Sequence, residues 1–412
     1  MKNDAIIIGG GIIGLMSAYY LNKHGITTTI IDEGNIKDNT SFVNAGLFSP
    51  FEKYPLSYPG IISLTAKLVL QGKSPFSLKP SLNPTIYKWL YLFAKNANHE
   101  RLNKTLSIFE KYGNISKDLY HKMIEEDKFD FYFHDDGMIL AFSNQQSFEN
   151  RIANDKNKDE VNYEILDNSA MKKYMPFINE SVIGGLLLKR DGYMDAGRLM
   201  ECLKTHLKQN GVKFILNERI KDFVFENKKI KEIIGENQNY KADSFILATG
   251  ADQFLAKKTG KSLMMVPAQG YSVTFEMPQD LKPKMASIFF DLFIAITPRQ
   301  DTTRLTGRLI LNSHDKNINP KYINKILQTL KSCSIPFELK NQKHLTGFRP
   351  LTPNDMPLIG RDKDCQNLIY ATGLGWLGMS FAPAIGNIIS DLIVNNKTNK
   401  QSEDILLFSG LC

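Results

Sequence analysis

Little in the chain could hold a metal or build a disulfide framework. Its 412 residues include four cysteines, Cys202, Cys333, Cys365 and Cys412, with no CxxC pair and no His/Cys cluster at metal-ligand spacing. No metal is expected, and the thiols read as free in a reducing compartment. A run of about 18 apolar residues is also missing, so no spanning helix is expected. The apolar stretch 5–8 runs straight into glycines with no small-residue cleavage site, unlike a secretory signal. The expected location is cytoplasmic, with peripheral attachment to the inner face of the cell membrane as an open alternative. Basic runs with interleaved aromatics are absent, so no nucleic-acid partner is expected. No internal repeat or low-complexity segment occurs.

A length of 412 residues implies two domains. Hydrophobic content of 42% and charged content of 23% are those of a soluble globular chain. The net charge of +8, mostly from lysine, reads first as a solvated surface and second as weak attraction to an anionic membrane face. Residues 4–8 form a buried parallel strand by their β-branched run. Gly9-Gly10-Gly11-Ile12-Ile13-Gly14 follows, then helical spacing to Gly25, then a strand over 27–31 closed by Asp32 and Glu33. Strand, glycine turn, helix, strand and acid make a dinucleotide-binding βαβ unit. Gly9, Gly11, Ile12 and Gly14 would face a diphosphate at the helix N-terminus, and Asp32 or Glu33 the ribose. On this unit alone the dinucleotide could be NAD or FAD.

Residues 51–84 are Pro-rich and loop-dominated, with a helix at 61–70. The apolar positions of 54–70 suit a core helix and its loop first, and a membrane-touching surface second. Helices are expected near 85–97, 102–126, 197–207, 321–331 and 382–394. Strands are expected at 212–216, 220–225, 229–236, 239–247, 271–275, 289–297, 304–310 and 368–372. Residues 131–133 and 138–142 flank a hairpin-like turn.

Three further motifs narrow the cofactor. They are Thr40-Ser41-Phe42-Val43-Asn44-Ala45-Gly46, the stretch Gly347-Phe348-Arg349-Pro350-Leu351-Thr352-Pro353, and Ala371-Thr372-Gly373-Leu374-Gly375-Trp376-Leu377-Gly378. With these, the chain resembles the D-amino acid oxidase superfamily of flavoproteins over residues 4–392, and within it the small-subunit type of bacterial D-amino acid dehydrogenases.

The resemblance implies an α/β fold: a Rossmann-like FAD domain (1–85, 187–263 and 341–412) interleaved with an antiparallel-sheet substrate domain of α+β type (86–186 and 264–340). It implies noncovalent FAD. Thr40, Ser41, Asn44, Ala45, Gly46 and Leu47 would lie along the flavin and its linker, and Ile220 by the adenine. Ala248, Thr249 and Gly250 would sit at the diphosphate end, and Gly373, Gly375, Trp376, Leu377, Gly378 and Met379 over the ring. Arg349 would hold a substrate carboxylate and also border the cofactor, with Tyr271 adding a hydroxyl to the same carboxylate. Arg299, Arg308, His134 and His344 read as structural or solvated.

The implied reaction is oxidative deamination of a small D-amino acid to a 2-oxo acid and ammonia, with hydride passing to the flavin and electrons on to a quinone or respiratory acceptor. An oxidase using O2 on glycine, sarcosine or a D-proline-like amine is the alternative. Leu374 replaces a histidine found in many relatives, Gln269 a lysine found in relatives and Phe293 a tyrosine found in some, which leaves the substrate open.

Overall fold

The computed structural model describes residues 4–37, 39–51, 55–70, 74, 76–155, 162–395 and 402–409. Tyr54 and Cys412 lie outside them. The N-terminal βαβ unit forms as its pattern predicts. Asp4–Ile8 is buried from Ala5 onward and pairs in parallel with Thr27–Asp32 on one side and Ser244–Leu247 on the other. Lys213–Leu216 and Leu368–Thr372 extend this sheet in parallel, and Leu358–Arg361 closes it antiparallel, giving six strands. Buried on both faces, such strands need helices above and below. The helices Ile12–Lys23 and Gly378–Val394 pack together on one face, their apolar residues joining one continuous core.

The second sheet has nine strands and is mostly antiparallel. Lys340–Leu351 forms its edge, followed by Val266–Glu276, Thr303–Leu311 and Ile294–Pro298. The helix Pro320–Cys333 covers one face through Ile323, Ile326 and Leu330. The parallel and antiparallel sheets together are the mixed α/β architecture expected.

Several elements differ from the sequence reading. Residues 131–133 form no strand; Met138–Phe142 pairs instead with Gly184–Leu188 and Ser287–Phe289, since His134 is already bridged to Tyr193. The expected strand 239–247 is two, Asn239–Tyr240 and Ser244–Leu247, in different sheets. The expected strand 289–297 is a hairpin of Ser287–Phe289 and Ile294–Pro298, turned at Phe293 with φ 56°. The last long helix starts at Gly378, with Pro383 inside it. A proline there frees the carbonyl four residues back. Met379 O is that carbonyl, and Tyr120 donates its hydroxyl to it at 2.7 Å.

The helix Ile61–Leu70 departs most from the core reading. Ile61 is its only buried residue, although nine of its ten positions carry no charge. Among the described residues no helix is long and apolar enough to cross a membrane.

Candidate active site

A cleft of about 1110 Å³ opens where the two sheets meet. Its floor is the glycine turn. Gly9 has φ 113°, and a Cβ there would overlap the carbonyl of Ala248 on the neighbouring strand end. Gly14 does different work: its Cβ would overlap the Gly9 carbonyl, so this glycine lets the helix approach the turn and is not itself in the cleft wall. The helix that follows is capped by Gly11 with no side-chain cap and no acid in its first turn. Its N-terminus therefore offers backbone N–H groups and a partial positive charge to an anion. Asp32 is built into the turn, accepting from Gly10 N at 2.6 Å and Gly34 N at 2.8 Å. Glu33 is half-exposed and engages Lys316 at 3.3 Å and Arg219 at 3.7 Å.

The 39–46 segment is stitched to both sheets. Asn39 Nδ2 donates to Gly10 O at 3.2 Å, and Ser41 Oγ accepts from Ile12 N at 3.0 Å. Thr40 Oγ1 accepts from Phe348 N at 2.8 Å. Asn44 Oδ1 accepts from Gly46 N at 2.8 Å, and Gly46 O accepts from Met194 N at 2.7 Å. Arg304, which the sequence reading passed over, completes this clamp. It is 2% exposed and donates from Nη1 to the carbonyls of Phe42 at 2.9 Å and Asn44 at 2.8 Å. Only tertiary pairing reveals it; its strand context looks like any other.

Of the residues expected to hold a cofactor, Gly9, Gly11, Ile12, Asp32, Glu33, Thr40, Ser41, Asn44, Ile220, Ala248, Thr249, Gly250, Gly375, Gly378 and Met379 line the cleft. Gly14, Ala45, Gly46, Leu47, Gly373, Trp376, Leu377 and Arg349 do not. Leu47 and Leu377 are core residues, and Ala45 and Trp376 pack against core clusters, so these four shape the wall from behind. The helix Gly378–Val394, like the first, meets the cleft with no side-chain cap and no acid in its first turn. Asn39, Thr346, Phe348 and Pro350 also line the cleft and were not expected.

Arg349 pairs with Ala268 across the edge of the large sheet, and its guanidinium lies over Gly270, where a Cβ would overlap it. It is half-buried, and burial lowers its pKa. Among the described residues no hydrogen bond or ion pair holds this guanidinium. A desolvated charge with no protein partner is costly, and a planar carboxylate would satisfy it with two parallel bonds. The structure does not bring Tyr271 to the same place. Tyr271 pairs with Thr346, three positions from Ala268, and strand alternation sends the two side chains to opposite faces. Its ring packs 5.3 Å from Tyr322 on the covering helix. The shared carboxylate contact expected of Tyr271 is thus corrected to a core packing role.

Arg299, Arg308, His134 and His344 lie outside the lining of the cleft. Arg299 is paired with Asp195, at 2.7 Å from Nε. Arg308 sits at a bulge with φ 64° and donates to Ser74 O and Ser77 Oγ, both at 3.2 Å. His134 stacks on Tyr193 at 4.8 Å, and His344 is exposed. Among the described residues no group of three or more His, Cys, Asp or Glu could hold a metal, and Cys202, Cys333 and Cys365 are free.

Residues 4–392 match the family described as FAD dependent oxidoreductase. A D-amino acid dehydrogenase of Helicobacter pylori is 42% identical over 411 residues, covering 100% of this chain and 99% of that protein. A D-amino acid dehydrogenase of Vibrio atlanticus is 26% identical over 411 residues, covering 98% of each. Among solved structures, L-proline dehydrogenase from P. horikoshii superposes with a TM-score of 0.74 at 18% identity, over 100% of this chain and 98% of that one. Glycine oxidase from Bacillus cereus gives 0.70 at 19% identity, over 98% of each. At these identities the structures attest the fold.

Proposed function

Because the chain belongs to the family of FAD dependent oxidoreductases, we propose that it oxidises a small D-amino acid to the 2-oxo acid and ammonia, its electrons passing to a quinone or respiratory acceptor at the inner face of the cell membrane. Full-length relatives named D-amino acid dehydrogenase support this substrate class. The observation that carries the reading within this chain is Arg349, half-buried, over Gly270 and unpartnered among the described residues.

The cleft fits FAD. Two helix N-termini without acids in their first turns open into it, one at the glycine turn and one at Gly378. The first suits the diphosphate and the second an electron-rich ring. Gly9, Gly11 and Ile12 would hold the diphosphate, Asp32 the ribose, Ile220 the adenine, and Ser41, Asn44, Gly375 and Met379 the flavin. We place the cofactor part at 1–85, 187–263 and 341–412 and the substrate part at 86–186 and 264–340, with the strand Lys340–Leu351 joining the second sheet and bringing Arg349 to its edge.

The chemistry supplied by bound FAD would be two-electron acceptance, as a hydride equivalent from the substrate Cα. The protein's work is orientation. Arg349 fixes the carboxylate, and fixing a reactive geometry can supply roughly 7–11 kcal/mol of a barrier in good cases. The amine enters neutral, its lone pair assisting C–H cleavage, so no side-chain base is required. The imine so formed takes up water and releases ammonia.

Anaerobic bleaching of the flavin absorbance by D-amino acids tests this reading. Arg349→Ala should raise the half-saturating concentration roughly 10²–10³-fold while the flavin absorbance stays, and Arg349→Lys should recover part of the loss. An unchanged constant in Arg349→Ala removes the assignment, and no bleaching by any D-amino acid removes the function.

A further inference from the structure

We infer that the helices Ile61–Leu70 and Pro84–Asn96 form a docking face for an anionic lipid bilayer. This deepens the membrane part of the function proposed above and rests on it for its purpose, though not for its chemistry. The face is apolar where a monomer should be polar. Ile62, Val69 and Leu70 are 50%, 58% and 89% exposed, and Leu82 fully so. Single exposed apolar side chains are ordinary, but Ile62, Val69 and Leu70 fall on one stripe of their helix, and such a set marks a contact surface. Tyr87 and Tyr91, one helical turn apart, are 57% and 66% exposed. Tyrosine with an apolar body and a polar tip suits the headgroup boundary.

Between the two helices runs a groove of about 400 Å³, bordered by Ile62, Ala66, Phe76, Trp89, Phe93 and Leu309. Hardly any polar surface lines it, so water gains little there and an acyl chain loses nothing.

Charge selects the occupant. From position 53 to 99 the sequence carries Lys53, Lys67, Lys73, Lys79, Lys88 and Lys95, and all 43 acidic residues of the chain lie elsewhere. Among the described residues Lys67, Lys88 and Lys95 have no acidic partner, and Lys79 reaches only Asp315, at 3.9 Å. An apolar surface on two helices whose lysines Lys67, Lys88 and Lys95 have no acidic partner among the described residues matches a bilayer bearing anionic headgroups. A second copy of the chain would bring the same lysines against these and be repelled. The location also serves the chemistry. Leu311 on the groove wall pairs with Ala268, which pairs with Arg349. Two strand spacings, about 10 Å, thus separate the strand carrying the substrate arginine from the one bordering the groove.

Co-sedimentation of the holoprotein with vesicles decides the matter. It should pellet with phosphatidylglycerol–phosphatidylethanolamine vesicles at low salt and stay in solution with phosphatidylcholine alone. The double variant Val69→Glu/Leu70→Glu and the triple variant Lys67→Gln/Lys88→Gln/Lys95→Gln should each lose at least about tenfold in partition, while flavin absorbance and its bleaching by D-amino acid stay at wild-type values. Equal pelleting of variants and wild type, or none of the wild type with anionic vesicles, overturns the inference. So does a wild-type dimer in sedimentation velocity that Val69→Glu/Leu70→Glu splits. Failure of bleaching with intact pelleting would defeat the proposed reaction and leave the docking face standing.

Discussion

Arg304 and Arg349 stand on the same face of the large sheet and do opposite things with the same group. Thr274 faces Arg304 and Ala268 faces Arg349 across the strand Val266–Glu276, six residues apart and so on one side of it. Arg349 keeps its guanidinium unspent among the described residues, whereas Arg304 spends its own on Thr274 Oγ1 and two backbone carbonyls. Burial first, and then nearby Arg299, pushes the Arg304 pKa down to about 9, with Asp195 opposing. The arginine is thus held at a cost, and what it holds is the segment carrying Ser41 and Asn44. Arg304→Met would strip two carbonyls of their donor, at about 1–3 kcal/mol each. FAD should then bind at least tenfold more weakly by fluorescence titration, with a shifted visible circular dichroism band, and Arg304→Lys should restore part of both. A variant that melts earlier but binds FAD with wild-type affinity and spectrum would show that Arg304 only supports the sheet.

Elements meet through end contacts as much as through faces, and one of these carries a pH signature. The long helix His99–Asp127 ends on a carboxylate, which its own dipole disfavours. Asp127 is answered from the first helix, by the Tyr19 hydroxyl and by Lys23 at 3.0 Å. Partial burial raises its pKa, and these two partners outweigh that and hold it below the usual aspartate value. A depressed carboxyl pKa stabilises the fold above the unfolded value and loses that contribution as pH falls through the folded one. Asp127→Asn should therefore cost about 1 kcal/mol at pH 7 and flatten the decline in stability below about pH 4, as urea midpoints at pH 7 and pH 3.5 would report. A slope identical to wild type would remove Asp127 from the acid response.

Elements also show what sequence patterns carry. Asp4–Ile8 and its helix were legible because periodicity and glycine placement are local. The extent of the strand Lys340–Leu351 was not legible. Its first five residues are exposed and polar, and it contains Gly347 and Pro350, which read as loop. An edge strand tolerates both, because one side of its backbone needs no partner. Ile61–Leu70 failed the other way: its residues look like core, and nothing in a single sequence says that no neighbour covers them.

At the scale of the molecule, the site exists only where the two sheets close on each other. Gly9, Asp32 and Ala248 come from the six-stranded sheet, and Thr346, Phe348 and Pro350 from the edge of the nine-stranded one. The bond from Phe348 N to Thr40 Oγ1 spans 308 positions of sequence, which is why the motifs were visible one by one and their meeting was not. A ligand seated across such a boundary should stabilise both sides at once, since it binds only the closed form. By linkage, FAD at 100 times its dissociation constant adds about 2.7 kcal/mol to the folded state. The two tryptophans report on the boundary: Trp89 donates to Leu351 O at 2.9 Å behind the edge strand, and Trp376 lies in the turn before Gly378. Adding FAD to deflavinated protein should raise the thermal midpoint of tryptophan fluorescence and of far-ultraviolet circular dichroism together. If the circular dichroism transition splits, with one part indifferent to FAD, the sheets unfold independently and the cofactor is held by one alone. If both midpoints move by the same amount, the cofactor is the joint through which a 412-residue chain behaves as one cooperative unit.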